Sequence, residues 1–326
     1  MKILLATGIY PPAIGGPAKY AENIKNEWEK MGHRVKVKTY GIEHKLPTGI
    51  RHLYFFLKII PTVIWCNRLY ALDTMSVGFP ATLAAVLFIK KITIRTGGDF
   101  LWEGYVERTG DMVLLKDFYG QSTEKWSRKE KLIFKLTQWT LQHVRRLVFS
   151  TAWQKDIFTK AYGLAPDNIY VIENFYGEKM DGAEPVQKNF IGGTRKLKWK
   201  NLSVLEKSFE GISEVRLDME NYPHEEFMKK ISGCYAVILV SLGDISPNMI
   251  LEAIRYNKPF IITRENGLMD RIRDIAITVD PVNEQDIREK VLWLCRKENY
   301  DLQVQKIKNF TFTHTWREIA EETLKL

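Results

Sequence analysis

The chain has 326 residues, of which 45% are hydrophobic, 12% aromatic and 27% charged, which excludes fibrous, low-complexity and disordered proteins and leaves room for two ordinary cores. Lys and Arg outnumber Asp and Glu by 48 to 39, and the net charge of +9 favours anionic partners such as nucleotides, phospholipid surfaces, nucleic acid or phosphorylated substrates. The three cysteines, Cys66, Cys234 and Cys295, lie in apolar sequence without metal-ligand spacing. They are predicted to be buried free thiols of a protein in a reducing cytoplasm.

In the first half of the chain, short apolar segments alternate with longer amphipathic ones, which is the pattern of the βα units that build a parallel sheet. The predicted strands span residues 2–7, 34–40, 68–72, 91–96, 146–150 and 168–174. The predicted helices span residues 17–32, 53–65, 80–89 and 128–145, and a further helix begins at residue 152. This order predicts a doubly wound α/β domain.

A polar segment with Gly and Pro, residues 175–188, interrupts this periodicity and is predicted to be the interdomain linker and the hinge. A second α/β domain is predicted after it. Its strands span residues 189–193, 214–219, 236–241, 259–263 and 276–280, and the helices between them include 248–256 and 284–297. The closing segment, residues 313–326, is predicted to be an amphipathic helix with one apolar face, formed by Trp316, Ile319, Ala320 and Leu324.

The longest apolar segments, residues 53–65 and 79–89, are shorter than the roughly 20 residues that a membrane-spanning helix needs. The start of the chain contains one lysine and a short apolar run that ends at Pro11 and Pro12, unlike a secretion signal. We therefore expect neither an exported nor an integral membrane protein. The predicted helix at 128–145 is rich in Lys and Arg, which is compatible with peripheral contact with an anionic membrane, although packing of its apolar face on the sheet is the simpler interpretation.

Gly15 and Gly16 directly follow the first predicted strand and precede the first predicted helix. Backbone N–H groups and the helix dipole at such a turn favour a phosphate group, but a glycine pair there is explained equally well as a simple turn. The spacing is not that of a Rossmann or P-loop fingerprint, so a dinucleotide-dependent oxidoreductase is disfavoured.

Two cations, Arg195 and Lys200, follow the first strand of the second predicted domain. Ligands of α/β sheets bind beyond the carboxyl ends of strands, and a guanidinium together with an ammonium suits a diphosphate. The alternative interpretation is a solvated basic loop.

Two carboxylates, Asp244 and Glu252, stand seven residues apart around the start of the predicted helix 248–256. The N–H groups of its first residues, Asn248 and Met249, can hold phosphate oxygens, and an acidic group one or two turns further can accept hydrogen bonds from sugar hydroxyls. In the alternative interpretation Asp244 caps a turn and Glu252 lies on a helix surface.

Together these motifs resemble family 4 of the glycosyltransferases, which are retaining enzymes that use nucleotide sugars and have the GT-B fold. The resemblance runs nearly from end to end of the chain. Its features are a Tyr-Pro-Pro turn with a Gly-Gly loop, a helix that ends in Gly-His, an Arg followed five residues later by a Lys, and a spaced carboxylate pair followed by an Asn-Lys-Pro turn. In this sequence they include Gly15, Gly16, Gly32, His33, Arg195, Lys200, Asp244, Glu252 and Ala253.

The resemblance implies an α/β architecture of the GT-B type, with two Rossmann-like doubly wound domains facing across a cleft. The expected parts are an acceptor-side domain at 1–176, a nucleotide-sugar donor domain at 186–310 and a terminal helix at 311–326 that crosses back to the first domain. The family usually has Glu where this chain has Asp244, and it usually has more sequence between the Arg/Lys loop and the carboxylate helix.

The implied function is transfer of a sugar, with retention of configuration, from a nucleotide-diphosphate sugar to a hydroxyl of a glycan or lipid-linked acceptor. The enzyme is expected to be a cytoplasmic hexosyltransferase, at the inner membrane surface where it meets a lipid. Arg195 and Lys200 would neutralise the leaving diphosphate, Asp244 would orient the donor sugar and Glu252 would hold the ribose. The expected donor-binding residues are Gly15, Gly16, Arg195, Lys200, Asp244, Ser246, Pro247, Asn248, Met249 and Glu252. No metal or other cofactor is expected, since the donor region has no Asp-x-Asp pair.

Asp99 follows the fourth predicted strand, near the place where the family has a histidine beside the acceptor. It is interpreted either as a cap of the next segment or as a catalytic group that faces the acceptor. Two other functions remain open: another enzyme with the same donor groove, such as an epimerase or phosphorylase, and a basic nucleic-acid-binding protein. Nucleic acid is not an expected partner, because no ribonucleoprotein, zinc-finger or helix-turn-helix motif accompanies the charge.

Overall fold

The computed structural model describes residues 1–13, 15–121, 123–193 and 195–326. Within these residues, the strands of the first half of the chain pair in parallel as one six-stranded sheet of order β2-β1-β3-β4-β5-β6. The strands are β1 (Lys2–Thr7), β2 (Arg34–Thr39), β3 (Arg68–Ala71), β4 (Lys91–Thr96), β5 (Arg146–Phe149) and β6 (Ile169–Val171). The helices between and beside them are α1 (Gly16–Lys30), α2 (Thr48–Trp65), α3 (Gly78–Leu87), α4 (Phe100–Thr109), α5 (Leu115–Gln121), α6 (Arg128–Gln142) and α7 (Ala152–Tyr162).

The second half of the chain forms a five-stranded parallel sheet of order β11-β10-β9-β7-β8 in the described residues. Its strands are β7 (Asn189–Ile191), β8 (Arg216–Asp218), β9 (Ala236–Leu239), β10 (Phe260–Thr263) and β11 (Ile277–Val279). The helices are α8 (Leu202–Phe209), α9 (His224–Gly233), α10 (Asn248–Arg255), α11 (Met269–Ile272), α12 (Glu284–Leu294), α13 (Lys297–Lys308) and α14 (Trp316–Lys325).

Strand β9 is an uninterrupted apolar run because the side chains on both of its faces are buried. Val237 and Leu239 belong to the core on one face of the sheet, whereas Ala236 and Ile238 belong to the core on the other face. Successive side chains of a strand point to opposite faces, and both faces of this parallel sheet are covered. Both sheets therefore have the parallel order that the alternation of segments predicts.

The chain forms two compact units. The first comprises Met1–Leu101, Glu124–Phe175 and His314–Leu326, and the second comprises Trp102–Thr123 and Tyr176–Thr313. The structure places residues 102–123 in the second unit, whereas the sequence prediction assigned the whole of 1–176 to the first domain. The reason is tertiary: the Trp102 ring lies 5.7 Å from the Trp199 ring, a contact that no local pattern shows.

The predicted linker also differs in the structure. From Tyr176 onward this segment belongs to the second unit. There the Met180 N–H donates to the Arg255 backbone carbonyl, and the Ala183 N–H donates to the Ser232 backbone carbonyl. Lys179 donates from its ammonium to the carbonyls of Ile254 and Ile307 at 2.8 and 2.7 Å. Residues 179–183 of the segment are therefore hydrogen-bonded to the second unit.

Helix α14 belongs to the first unit, in which Ile319 and Ala320 are fully buried beside Ile24 and Trp28. Trp28 Nε1 donates to the Ala320 carbonyl at 3.3 Å. A capping box closes the start of the helix, since Thr315 Oγ1 accepts from the Glu318 N–H while Glu318 accepts from the Thr315 N–H.

The three cysteines are free and buried. Burial raises the pKa of Cys234 to about 12 and that of Cys295 to about 11. Their thiols are thus poor nucleophiles at neutral pH. In the described part of the chain, no helix combines the length and apolar composition needed to cross a bilayer.

Candidate active site

A buried ion pair lies beyond the carboxyl ends of strands β7 and β9. Lys200 ends the short 3₁₀ turn Lys198–Lys200 after β7, and Asp244 lies in the loop after β9. Lys200 Nζ is 2.6 Å from Asp244 Oδ2, and each side chain is only 11% exposed. The Ser241 hydroxyl donates to the same carboxylate oxygen at 3.0 Å. Two residues that the sequence placed in one site, for different roles, therefore contact each other directly.

The backbone of Asp244 is fixed as firmly as its side chain. Its N–H donates to the Glu265 carbonyl at 2.9 Å, and its own carbonyl accepts from the Gly267 N–H at 3.0 Å. These bonds extend the pairing of the sheet into the loop as a parallel bridge between Asp244 and Asn266. The carboxylate consequently has a defined position before any ligand binds.

Two cations flank one buried indole. Lys200 Nζ lies 4.3 Å from the centre of the Trp199 ring, and the Arg195 guanidinium carbon lies 5.9 Å from it. Trp199 is buried, whereas Arg195 is exposed. The arrangement brings two positive charges together at one sheet edge and leaves the guanidinium accessible to an anion.

Helix α10 begins at Asn248, four residues after Asp244. Its N-cap residue is Pro247, its first turn carries no acidic residue, and no side chain in the described ranges caps it. Asn248 is exposed, Met249 and Ser246 are half-buried and Pro247 is buried. A helix start of this kind presents backbone N–H groups and the positive end of the helix dipole.

Glu252 stands one turn into α10, where Arg255 Nη1 donates to its carboxylate at 2.7 Å. Both side chains are about one-fifth exposed, at 21% and 22%. The carboxylate thus has a cationic partner on its own helix, and its remaining lone pairs are available to a further donor.

Sequence reasoning missed the contribution of α4 and α5. Lys116 Nζ lies 2.6 Å from Glu265 Oε1, whose side chain is only 3% exposed. The Leu115 N–H donates to the Leu242 carbonyl at 3.3 Å, and Glu107 accepts from the Lys198 N–H at 2.6 Å. These helices hold the loops that carry Lys200 and Asp244. The sequence signal for this packing is the high content of aromatic and apolar residues in 100–119, which indicates that the segment is buried against other parts of the protein.

Gly243 allows this close approach. A Cβ atom at this position would lie 2.7 Å from Leu115 Cβ and 3.3 Å from Trp102 Cη2. We expect Gly243→Ala to lower the free energy of unfolding by about 1 to 3 kcal/mol, because the added methyl must displace α5 or the loop. Gly104→Ala is the matched control, since no heavy atom lies within 4 Å of its added Cβ and alanine favours a helix. Urea unfolding measures both; equal stability of the two variants would contradict the packing.

Gly15, Gly16 and Asp99 belong to the first unit, at the carboxyl ends of β1 and β4. Gly15 is the N-cap of α1, and its φ of 155° together with a Cβ that would lie 2.9 Å from Ile9 Cδ1 favours glycine. Asp99 is buried, and its Oδ1 accepts from the Leu101 N–H at 3.1 Å. This bond supports the capping interpretation of Asp99, since Leu101 is the second residue of α4.

Neither the protein-family models nor the curated proteins contain a match to the sequence. Solved structures do match over the whole chain. Sucrose-phosphate synthase from Thermosynechococcus elongatus has 9% identity and a TM-score of 0.72, with 99% of this chain and 97% of that chain covered. Anabaena HepE in complex with UDP-glucose has 13% identity and a TM-score of 0.68, with 100% and 99% covered. The lipopolysaccharide outer core galactosyltransferase WaaB has 15% identity and a TM-score of 0.64, with 100% of both chains covered.

These similarities establish the class of fold. The chain has the GT-B fold of nucleotide-sugar glycosyltransferases, built from two parallel-sheet α/β domains of Rossmann-like architecture. The predicted fold class is confirmed.

Proposed function

We propose that this protein is a retaining glycosyltransferase that moves a hexosyl group from a nucleotide-diphosphate sugar to a hydroxyl of a glycan or lipid-linked acceptor. The observation that carries the proposal is the Lys200–Asp244 pair beyond the second sheet, with Arg195 beside it and the start of α10 close in sequence. The GT-B fold supports the proposal, as does the UDP-glucose complex of the structurally similar HepE.

In the proposed site, cations neutralise the leaving diphosphate. Lys200 donates one N–H to Asp244, and its ammonium has two more N–H groups for phosphate oxygens. Arg195 adds a second, exposed cation, and the N–H groups at Asn248 and Met249 add the dipole of α10. Charge that develops on the diphosphate as the glycosidic bond breaks is then met by groups that are already in place.

The carboxylates have the remaining donor-side roles. Asp244, held by Lys200 and by Ser241, orients hydroxyls of the donor sugar. Glu252 accepts hydrogen bonds from the ribose while Arg255 balances its charge. Gly15 and Gly16 are proposed as donor-binding residues because glycines allow a phosphate to approach the backbone, and Asp99 is proposed as an acceptor-side residue.

A screen of nucleotide sugars tests the proposal. Melting temperatures are measured with UDP-, GDP-, ADP- and dTDP-sugars, and each stabilising donor is then assayed for transfer, with the anomeric configuration of the product determined by NMR. A donor at 100 times its dissociation constant adds about 2.7 kcal/mol to the stability of the native state. If none of the four classes stabilises the protein, the glycosyltransferase proposal is wrong. A product of inverted anomeric configuration would show that the enzyme is not a retaining one.

We also propose that the reaction needs no metal ion or other cofactor, because Arg195, Lys200 and the helix start supply the positive charge. Initial rates are expected to be the same with excess EDTA as with magnesium-saturated EDTA, which is the control for other effects of the chelator. Activity that disappears in EDTA and returns only with Mg²⁺ or Mn²⁺ would show that a divalent cation holds the diphosphate.

For the cellular setting, we propose a cytoplasmic enzyme that works at the inner membrane surface. The support is the net charge of +9, which attracts the protein to anionic lipid. A lipid-linked acceptor would be reached at such a surface.

A further inference from the structure

Helix α2 carries a stripe of large apolar side chains on its outer side. Its members are Ile50, Leu53, Tyr54, Leu57 and Ile64, and they are between 44% and 60% exposed. Their spacing of three, four and seven residues places them within about a third of the helix circumference. The opposite face, with Phe55, Ile59 and Val63, is fully buried in the first unit. The helix is therefore apolar on both faces, and only one of them is covered.

The neighbouring helix continues the stripe. Leu83, Val86 and Leu87 of α3 are 39%, 48% and 63% exposed, again at spacings that share a face. Ile89, just after the helix, is 93% exposed and has a φ of 51°, a left-handed conformation that β-branched residues rarely adopt. These side chains and the stripe of α2 together form what we name the α2–α3 face.

Ring contacts show that α2, α3 and α6 lie side by side. The His52 ring of α2 lies 6.2 Å from the Phe79 ring of α3, which lies 5.8 Å from the Trp139 ring of α6. The exposed apolar side chains of α2 and α3 thus lie on neighbouring helices of the first unit. Apolar patches of this kind on a folded protein mark interaction sites.

The charge of this surface identifies the partner. Residues 43–98 contain seven Lys and Arg, of which Arg95 is buried and Lys58 pairs with the buried Glu43 at 2.8 Å; the other acidic residue of this range, Asp73, accepts from the Val77 and Gly78 N–H groups. Helix α6 adds exposed cations along the same side of the sheet: Arg128, Lys129, Lys131 and Lys135. An apolar face bordered by positive charge is complementary to a lipid bilayer that has an apolar interior and an anionic surface.

An open groove of about 790 Å³ lies where α3 and α6 end, and its lining includes Val86, Ile89, Lys91 and Arg145. Lys91 and Arg145 are exposed, and neither forms an ion pair with any residue in the described ranges. Cations beside apolar side chains in one groove suit a phosphate headgroup that is attached to an acyl chain.

We propose that the α2–α3 face docks on an anionic phospholipid surface, with Leu53, Leu57 and Ile89 entering the acyl boundary and Lys91 and Arg145 contacting lipid phosphates. The inference rests on the membrane contact included in the proposed function and names its surface. In this proposal α2 and α3 make the apolar contact with the membrane, and α6 contributes only positive charge.

The test is cosedimentation of the full chain with vesicles of phosphatidylcholine, with or without phosphatidylglycerol, in the absence of nucleotide sugar. The wild-type chain is expected to bind only the anionic vesicles. Leu53→Gln/Leu57→Gln and Lys91→Glu/Arg145→Glu should each lower the partition coefficient about tenfold or more, and the second pair should also reduce the salt dependence. Matched controls in the second unit, Leu302→Gln and Lys306→Glu/Lys308→Glu, should bind as the wild type does; Leu302 is 52% exposed and both lysines are exposed.

Equal binding of all variants, or no binding of the wild type to anionic vesicles, would overturn the proposal. So would variants at Leu53 and Leu57 that change a dimer into a monomer in size-exclusion chromatography without changing vesicle binding, since the face would then join two copies of the chain. Donor binding by thermal shift is measured on the same preparations. A protein that binds a nucleotide sugar but no vesicle therefore disproves the docking face and leaves the transferase proposal intact.

Discussion

Arg195→Ala should lower kcat/KM for sugar transfer by roughly a hundredfold, which corresponds to the loss of about 3 kcal/mol of transition-state stabilisation. The guanidinium is exposed, so its removal opens no cavity and the melting temperature should not change. Lys196→Ala is the matched control, because Lys196 is also exposed and is the next residue along the same loop. Transfer kinetics near the wild-type values for Arg195→Ala would remove Arg195 from the diphosphate site.

Lys200→Ala should have a comparable or larger effect on transfer and, unlike Arg195→Ala, should also destabilise the fold. It leaves the Asp244 carboxylate, only 11% exposed, without its cation, and breaking a buried pair in this way typically costs about 3 kcal/mol. The double variant Lys200→Ala/Asp244→Asn separates the two effects. It should recover much of the stability and none of the activity; recovery of activity would show that the pair is structural only.

Ile319→Ala is expected to lower the free energy of unfolding by about 3 kcal/mol, because removal of the fully buried side chain leaves a cavity between α14 and α1. Urea unfolding measures it. Arg317→Ala, on the exposed side of the same helix, should be nearly neutral.

Deletion of all residues after Thr313 extends this test. It removes the Ala320 carbonyl that accepts from Trp28 and the Leu324 carbonyl that accepts from Arg68 at 2.9 Å. Melting temperature and turnover should fall together. A shortened chain that melts and turns over like the full one would show that α14 is dispensable.

The regular part of the fold is predictable because its signals are local. Strand β1 at Lys2–Thr7 and strand β4 at Lys91–Thr96 have the same bounds as predicted, since β1 is a short apolar run, β4 alternates polar and apolar residues, and glycine follows each of them directly. The start of α6 at Arg128 follows from the Ser127–Glu130 capping box. Helices α4 and α5 were not assigned, because the residues that they contact lie far away in the sequence: Trp199 is 97 residues from Trp102, and Leu242 is 127 residues from Leu115.

The candidate site divides in the same way. Arg195, Lys200 and Asp244 could be proposed from the sequence because each follows a strand of a parallel sheet, at the edge where ligands of such sheets bind. The direct bond between Lys200 and Asp244 depends on the register of β7 against β9, which side-chain periodicity leaves open. The Lys116–Glu265 pair joins residues 149 positions apart, so no spacing rule reaches it.

The discontinuity of the second unit limits how chains with this arrangement can be recombined. A chimaera made at a single junction near Tyr176 would inherit Lys198, Trp199, Gly243 and Glu265 from one parent and the segment Trp102–Thr123 from the other. Glu265 would then face a foreign Lys116, its partner in a 2.6 Å ion pair, and Gly243 would pack against a foreign Leu115 and Trp102, from which even an added Cβ would lie only 2.7 and 3.3 Å away. Exchange of the second unit between such chains therefore requires both of its pieces to be exchanged together, so fusion at a single junction near Tyr176 is expected to disrupt its packing.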